Sequence, residues 1–229
     1  MDQDEAKAGR QPLVVVNVVI FTLRATDLQV LLAKHRRSPR EGKWAIPGGA
    51  VRLHEGLESA ALRTLAGQQK GLTDVYLEQL YTYGEANRDP HSRVIAVAYF
   101  AVVPAPGAEV SAADEAPTAR WWSINDLPDL ALDHADILSY ALTRLRYKLE
   151  YTAVGFELLP EEFTLTELQI AYEIVLGEAL DKRNFRRKIL SSGIIEPGSR
   201  YRSGEGRPAR LYHYREDAVA EVKARRLFP

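Results

Sequence analysis

The chain has 229 residues, 46% hydrophobic and 27% charged, which is enough apolar material for a packed core and excludes a disordered polypeptide. It balances 30 Lys+Arg against 31 Asp+Glu and has no cysteine, so a general polycation, a disulfide scaffold, a cysteine-ligated zinc site and a thiol nucleophile are all excluded. At roughly 150 residues per domain, the length suits one large domain or two small ones.

The first twelve residues, MDQDEAKAGRQP, are polar and acidic, unlike a signal or transit peptide. The apolar runs Val14–Leu23 and Val94–Val103 fall short of the ~18 residues needed to span a bilayer. A soluble, cytoplasmic protein without a membrane partner is expected. Val14–Leu23 is rich in β-branched residues, and Leu28–His35 follows a polar turn, which predicts a hairpin. Gly48-Gly49 reads as a break after Trp44–Pro47. Leu57–Gln69 is predicted to be a helix from Leu57, Ala60, Ala61 and Leu65. Asp74–Tyr83 and Arg93–Val103 read as strands, the second apolar enough to be buried on both faces. Pro104–Thr118 is a loop, and Arg120–Ile124 a last short strand. Ala135–Glu150 is helical, with a stripe of Ile137, Tyr140, Ala141, Leu145 and Leu149 that serves equally well as domain core or as a joint between domains or subunits. Residues 12–150 are thus read as one α/β domain.

The pattern changes in residues 151–229. Thr164 and Glu167 have the spacing of a capping box, Leu168, Ala171, Ile174, Val175 and Leu176 form an apolar face, and Gly177 is a stop. Lys182–Ser192 is a second helix, basic outside and apolar at Phe185, Ile189 and Leu190. Two β-prone pieces follow within Ile194–Arg215, around Ser203–Pro208. Helix, turn, basic helix and basic hairpin make a winged helix-turn-helix. From Lys182 to Arg215 there are ten Lys/Arg and two acids, a net +8, which leaves −9 on the rest of the chain. Two surfaces with different partners follow from that asymmetry. Asn184 can pair bidentately with adenine and arginine with guanine, so Lys182, Arg183, Asn184, Arg186, Arg187 and Lys188 are candidate base and backbone readers. Arg200, Arg202, Arg207 and Arg210 would run along phosphates, and Thr164 and Thr166 at a helix N-terminus could hold another phosphate. Modules of this size usually bind DNA in pairs, so a homodimer on a palindromic double-stranded operator is expected.

The run Gly49-Ala50-Val51-Arg52-Leu53-His54-Glu55, then seven residues, then Arg63, together with the lead-in Gly42–Gly49, resembles the first half of a Nudix box, G-x5-E-x7-R-E-U-x-E-E-x-G-U. That resemblance implies a Nudix-type α/β/α sandwich ahead of the winged helix. In active members the paired glutamates hold a divalent metal against a diphosphate. Here the three motif glutamates fall on Thr64, Gly67 and Gln68, and one residue too many precedes Gly71; aligning back from Gly71 puts the pair on Gln68 and Gln69. Glu55 and Glu58 offer at most a weak metal site. No catalytic residue, metal site or cofactor is therefore expected, and the domain reads as one that keeps a nucleotide pocket and has lost hydrolysis.

Tyr83-Gly84-Glu85-Ala86-Asn87-Arg88-Asp89-Pro90-His91-Ser92-Arg93-Val94 resembles the matching stretch of Nudix proteins that handle ADP-ribose. Arg88 and Arg93 are candidates to grip a diphosphate, since guanidinium groups take phosphate oxygens in pairs. Arg36, Arg37 and Arg52 are expected at the same cleft, Trp44 or Tyr83 could stack on a base, and Glu55 completes the candidate set; His54 and His91 read as bystanders. The two halves together resemble the Nudix-related transcriptional regulators of the NrtR family over about residues 12–215. The resemblance implies a repressor of NAD-metabolism genes whose effector is ADP-ribose or a related NAD-derived nucleotide. Two rivals remain: a working hydrolase of the ADP-ribose pyrophosphatase type with an accessory domain, favoured by Glu55 and Arg63, and an adaptor that uses its basic patch on acidic proteins.

Overall fold

β-Branched side chains favour extended backbone and pack well on a pleated surface, and seven of the twelve residues of the first strand are of this kind. In the computed structural model, which describes residues 11–24, 26–34, 42–68, 75–104, 119–203, 208–215 and 218, this strand is β1 (Leu13–Arg24). Its hairpin partner is β2 (Asp27–Lys34), and Val16, Val18, Val19, Ile20 and Phe21 are fully buried. β3 (Trp44–Ala45), β4 (Gly48–Ala50), β5 (Tyr76–Tyr83), β6 (Val94–Val102) and β7 (Ala119–Ser123) complete a seven-stranded sheet. Its order is β3-β2-β1-β6-β5, with β4 on β1 and β7 on β2. β6 lies between β1 and β5 and is buried along its length apart from half-buried Ile95, as its unbroken apolar run predicts.

Gly48-Gly49 does not break the chain as expected; both residues are inside β4, antiparallel to β1 in the register Asn17↔Gly48 and Val16↔Gly49. The glycine is there for close approach: a Cβ at Gly48 would stand 2.5 Å from both Asn17 Nδ2 and Val16 O.

α1 (Leu57–Gln68) buries Ala60, Ala61, Thr64 and Leu65 and packs on β4. α2 (His134–Tyr151) buries Ile137, Leu138, Ala141, Leu145 and Leu149; Tyr140, expected on this stripe, is exposed instead, and Leu138 takes the inward position. The chain divides into two compact units, with the division inside α2, between Ala141 and Leu142; the second unit also takes in Phe21–Gln29.

In the second unit a 3-10 turn (Ala153–Leu158) is followed by β8 (Phe163–Thr164), α3 (Leu165–Leu176), α4 (Lys182–Ser191), β9 (Ile195–Arg202) and β10 (Ala209–Tyr214). The strands form a sheet of order β8-β10-β9, and both pairings are antiparallel. α3 starts at a complete capping box: Glu167 N–H donates to Thr164 Oγ1 at 3.1 Å, and Thr164 N–H donates to Glu167 Oε2 at 2.8 Å. It stops at Gly177, whose φ of 77° is left-handed. The turn into α4 is tied by Gln169 Nε2, which donates to Glu173 Oε1 at 2.9 Å and to Leu180 O at 3.1 Å. Asp181 caps α4, accepting from Asn184 N–H at 2.7 Å. Phe185 and Ile189 anchor α4, with Phe185 edge-on to buried Tyr172 at 5.6 Å; Leu190, expected as a third anchor, is exposed. Among the described residues no helix is long and apolar enough to cross a membrane.

Candidate functional site

Successive side chains on a strand point to opposite faces, so Leu13, Val15 and Asn17 share one face of β1. They line a cleft of about 370 Å³ together with Ile46, Gly48, Arg88, Asp89, Val94 and His134. His134, the first residue of α2, is buried, and its Nδ1 accepts the Ile46 N–H at 2.9 Å, which leaves the neutral ring's proton on Nε2. Asn17 is only 6% exposed.

Arg88 lines this cleft, but its guanidinium is held in two bonds by Asp133, Nε to Oδ2 at 2.9 Å and Nη2 to Oδ1 at 2.6 Å. Its side chain is 3% exposed, so the pair ties the loop after β5 to the start of α2. Arg93 is exposed and donates from Nη1 to Glu85 O at 3.2 Å and Val94 O at 3.4 Å. Arg52 is exposed, and its N–H donates to Glu55 Oε2 at 3.1 Å. Arg36 and Arg37 lie outside the described residues. Trp44 makes a T-shaped contact with Trp122 at 5.2 Å between ring centroids, and Lys34 Nζ stands 5.2 Å over its ring. Tyr83 stands edge-on to Tyr81 at 5.3 Å; burial, with smaller contributions from Tyr140 and Asp133, pushes its phenol up to about 12. His54 and His91 are exposed.

The retained half of the Nudix box forms a brace. Arg63 donates to Glu55 from Nε at 2.6 Å and from Nη2 at 2.7 Å, and Nη2 also reaches Ala50 O at 3.1 Å. The Arg63 hydrogen bond holds the Glu55 carboxyl at a pKa of about 2 against the opposing effect of burial, with help from the Arg52 N–H. Where the motif has glutamates, Thr64 is buried with its hydroxyl on Ala60 O at 2.8 Å, Gly67 faces open space, and Gln68 is half-buried. Gln69 and Gly71 lie outside the described residues. Among the described residues, no three His, Asp or Glu side chains gather into a group that could hold a metal ion.

The second surface is α4 with its wing. Lys182, Arg183 and Arg187 are exposed, and Asn184, Arg186 and Lys188 are half-buried. Arg186 Nη2 donates to Thr166 Oγ1 at 3.1 Å, and Arg187 Nη2 donates to Asn184 Oδ1 at 2.7 Å, so α4 orders part of its own polar surface. On the wing, Glu162 holds Arg200 at 2.6 Å, and Glu167 pairs with Arg202. Arg210 Nε donates to Gly198 O at 3.2 Å; Arg207 lies outside the described residues. Thr164 is buried and its hydroxyl caps α3, whereas Thr166 is exposed at that helix start. Sequence reasoning passed over Asn17, Asp133 and His134. Only Asn17 carried a local signal, an amide in the middle of an apolar strand.

Residues 13–141 match the NUDIX domain family, and residues 155–214 match the NrtR DNA-binding winged helix domain. The chain is 37% identical over 207 residues to the ADPR responsive transcriptional repressor NtrR of Acinetobacter baylyi, which spans 89% of this chain and 82% of that protein. This chain belongs to the NrtR family. The likeness extends to three dimensions: Shewanella oneidensis NrtR, solved in complex with a 27mer DNA, matches with a TM-score of 0.82 at 32% identity over 93% of this chain and 96% of that one. The NUDIX domain of the same NrtR, solved with ADP ribose, matches with a TM-score of 0.51 at 31% identity over 63% of this chain and 99% of that one. An ADP-ribose pyrophosphatase of Methanocaldococcus jannaschii is 33% identical over 127 residues, 56% of this chain and 71% of that enzyme.

Proposed function

We propose that this NrtR family member is a transcriptional repressor of NAD-metabolism genes, working as a homodimer on a palindromic operator, whose Nudix domain senses ADP-ribose or a related NAD-derived nucleotide without hydrolysing it. The observation that carries the reading is one chain holding both a capped, cation-rich α4 beside a wing and a Nudix helix with Thr64, Gly67 and Gln68 in the glutamate positions. Neutral side chains and a glycine supply no carboxylate for the metal that would activate water. α4 presents its cations on the face opposite Phe185 and Ile189, as a helix laid in a major groove would. The ligand is expected to weaken operator binding, and by linkage the operator then weakens ligand binding by the same factor. Gel-shift titrations with and without ADP-ribose test this; ligand that binds without changing operator affinity ends the sensor reading.

The retained Glu55–Arg63 brace favours a second reading, a working hydrolase. Multiple turnovers of ADP-ribose with Mg²⁺ or Mn²⁺ would establish it, and their absence removes it.

A further inference from the structure

We propose that Glu162 and Glu167 are internal competitors for DNA phosphate: each carboxylate takes the place on a wing arginine that a backbone phosphodiester would otherwise fill. This rests on the reading of the second unit as a DNA-binding module. Arg200 donates to Glu162 from Nε at 3.2 Å and pairs with it through Nη2 at 2.6 Å, the same two-bond fork that grips phosphate oxygens. Arg202 pairs through Nη1 with Glu167 Oε1 and donates from Nη2 to Glu162 O at 3.3 Å. Both acids lie ahead of the basic window Lys182–Arg215, one just before β8 and one in the first turn of α3. The net +8 of that window therefore counts two cations that the fold has already matched.

Such pairs could instead serve to hold the wing in place, but the wing has other means. The β9–β10 hairpin is fixed by its own ladder and by the pairing of β10 with β8, with Leu211 buried and Tyr214 packed on Phe156 at 4.9 Å. The Arg200 side chain is 73% exposed and that of Arg202 44%. Ion pairs in such solvated positions add little to a fold. Toward a polyanion the same pairs matter more. Phosphate must draw each guanidinium off its carboxylate, and the carboxylate is then left facing DNA. A brace and a competitor predict opposite signs: removing the acid's charge weakens DNA binding in the first case and strengthens it in the second.

The test is fluorescence anisotropy of a labelled mixed-sequence duplex titrated with the full chain at low salt. Glutamine keeps the shape of each acid and, in place of Glu167, the side-chain half of the capping box. Glu162→Gln and Glu167→Gln should each raise affinity by about two- to fivefold per protomer, and a gain of binding cannot come from a damaged fold. Glu161, the neighbour of Glu162 in the chain, is exposed and has no ion pair among the described residues, so Glu161→Gln reports plain charge repulsion. The gain from Glu162→Gln should exceed that from Glu161→Gln and should shrink in an Arg200→Ala background. Unchanged or weaker binding by both glutamine variants overturns the inference, as does a Glu162→Gln gain that is the same with and without Arg200. If the unmodified chain does not bind the duplex at all, the DNA-binding reading falls and this inference with it.

Discussion

In the Nudix-like domain Arg88, which lines the cleft, is tied to Asp133, and Arg63 on α1 is tied to Glu55. On α4 the opposite holds: among the described residues no carboxylate pairs with Lys182, Arg183, Arg186, Arg187 or Lys188. The wing lies between these cases, with Arg200 on Glu162 and Arg202 on Glu167 but both side chains still substantially exposed. A cation matched by a buried carboxylate holds segments together, whereas unmatched cations on a solvated helix are available to a polyanion. The comparison teaches that arginine count alone does not locate a phosphate site; what matters is whether the fold has already supplied the counter-charge.

The largest test of that contrast is Asp133→Ala. It leaves the buried Arg88 guanidinium without its partner and should cost about 3–5 kcal/mol, measured by urea unfolding. Arg183→Ala in the same assay should stay within about 0.5 kcal/mol. A cost below about 1 kcal/mol for Asp133→Ala would mean that Arg88 is not a structural brace.

DNA binding reverses the ranking. Arg183→Ala should lose about 1–3 kcal/mol at particular base pairs and relax specificity there. Arg200→Ala should weaken all sequences alike and lower the salt slope by about 0.9. If both variants lose equally on operator and random DNA at two salt concentrations, α4 is not the recognition helix.

Gly67→Ala comes next. Gly67 sits in α1 with nothing within 4 Å of the point a Cβ would occupy, so alanine should stabilise the domain by up to about 1 kcal/mol in a thermal melt. A loss of stability would show that the glycine is needed for something other than the absence of a side chain.

The smallest effect is the pH response of the Glu55–Arg63 brace. Arg63 depresses the folded-state pKa of Glu55 from 4.5 to about 2, so the contribution is complete above about 4.5 and fades as pH falls toward 2. Glu55→Gln should therefore be less stable than the parent at pH 7, with the gap closing across that window. A gap that stays constant with pH would assign the effect to packing.

Much of the fold was legible because its signals are local. The β-branched run of β1, the capping box at Thr164 and the stop at Gly177 each depend on residues within a few positions of one another. β4 was not legible, since Gly48 there answers to Asn17 on another strand, and a glycine pair looks the same in a turn and in a close crossing. Arg88 was legible as a cleft residue but not as a neutralised one, because Asp133 lies 45 residues away.

The sequence by itself determined the order of the two domains, the basic character of α4 and the loss of the Nudix glutamates, because residue type and short spacing carry all three. Only the tertiary structure decided which charges cancel and which polar groups face the cleft. Ile46 and His134 are 88 residues apart, and Asn17 meets Gly48 only through the pairing of β1 with β4. Periodicity reports which face of an element a side chain occupies. What that face meets depends on which strand is laid beside it, and the spacing of residues along the chain holds no record of that.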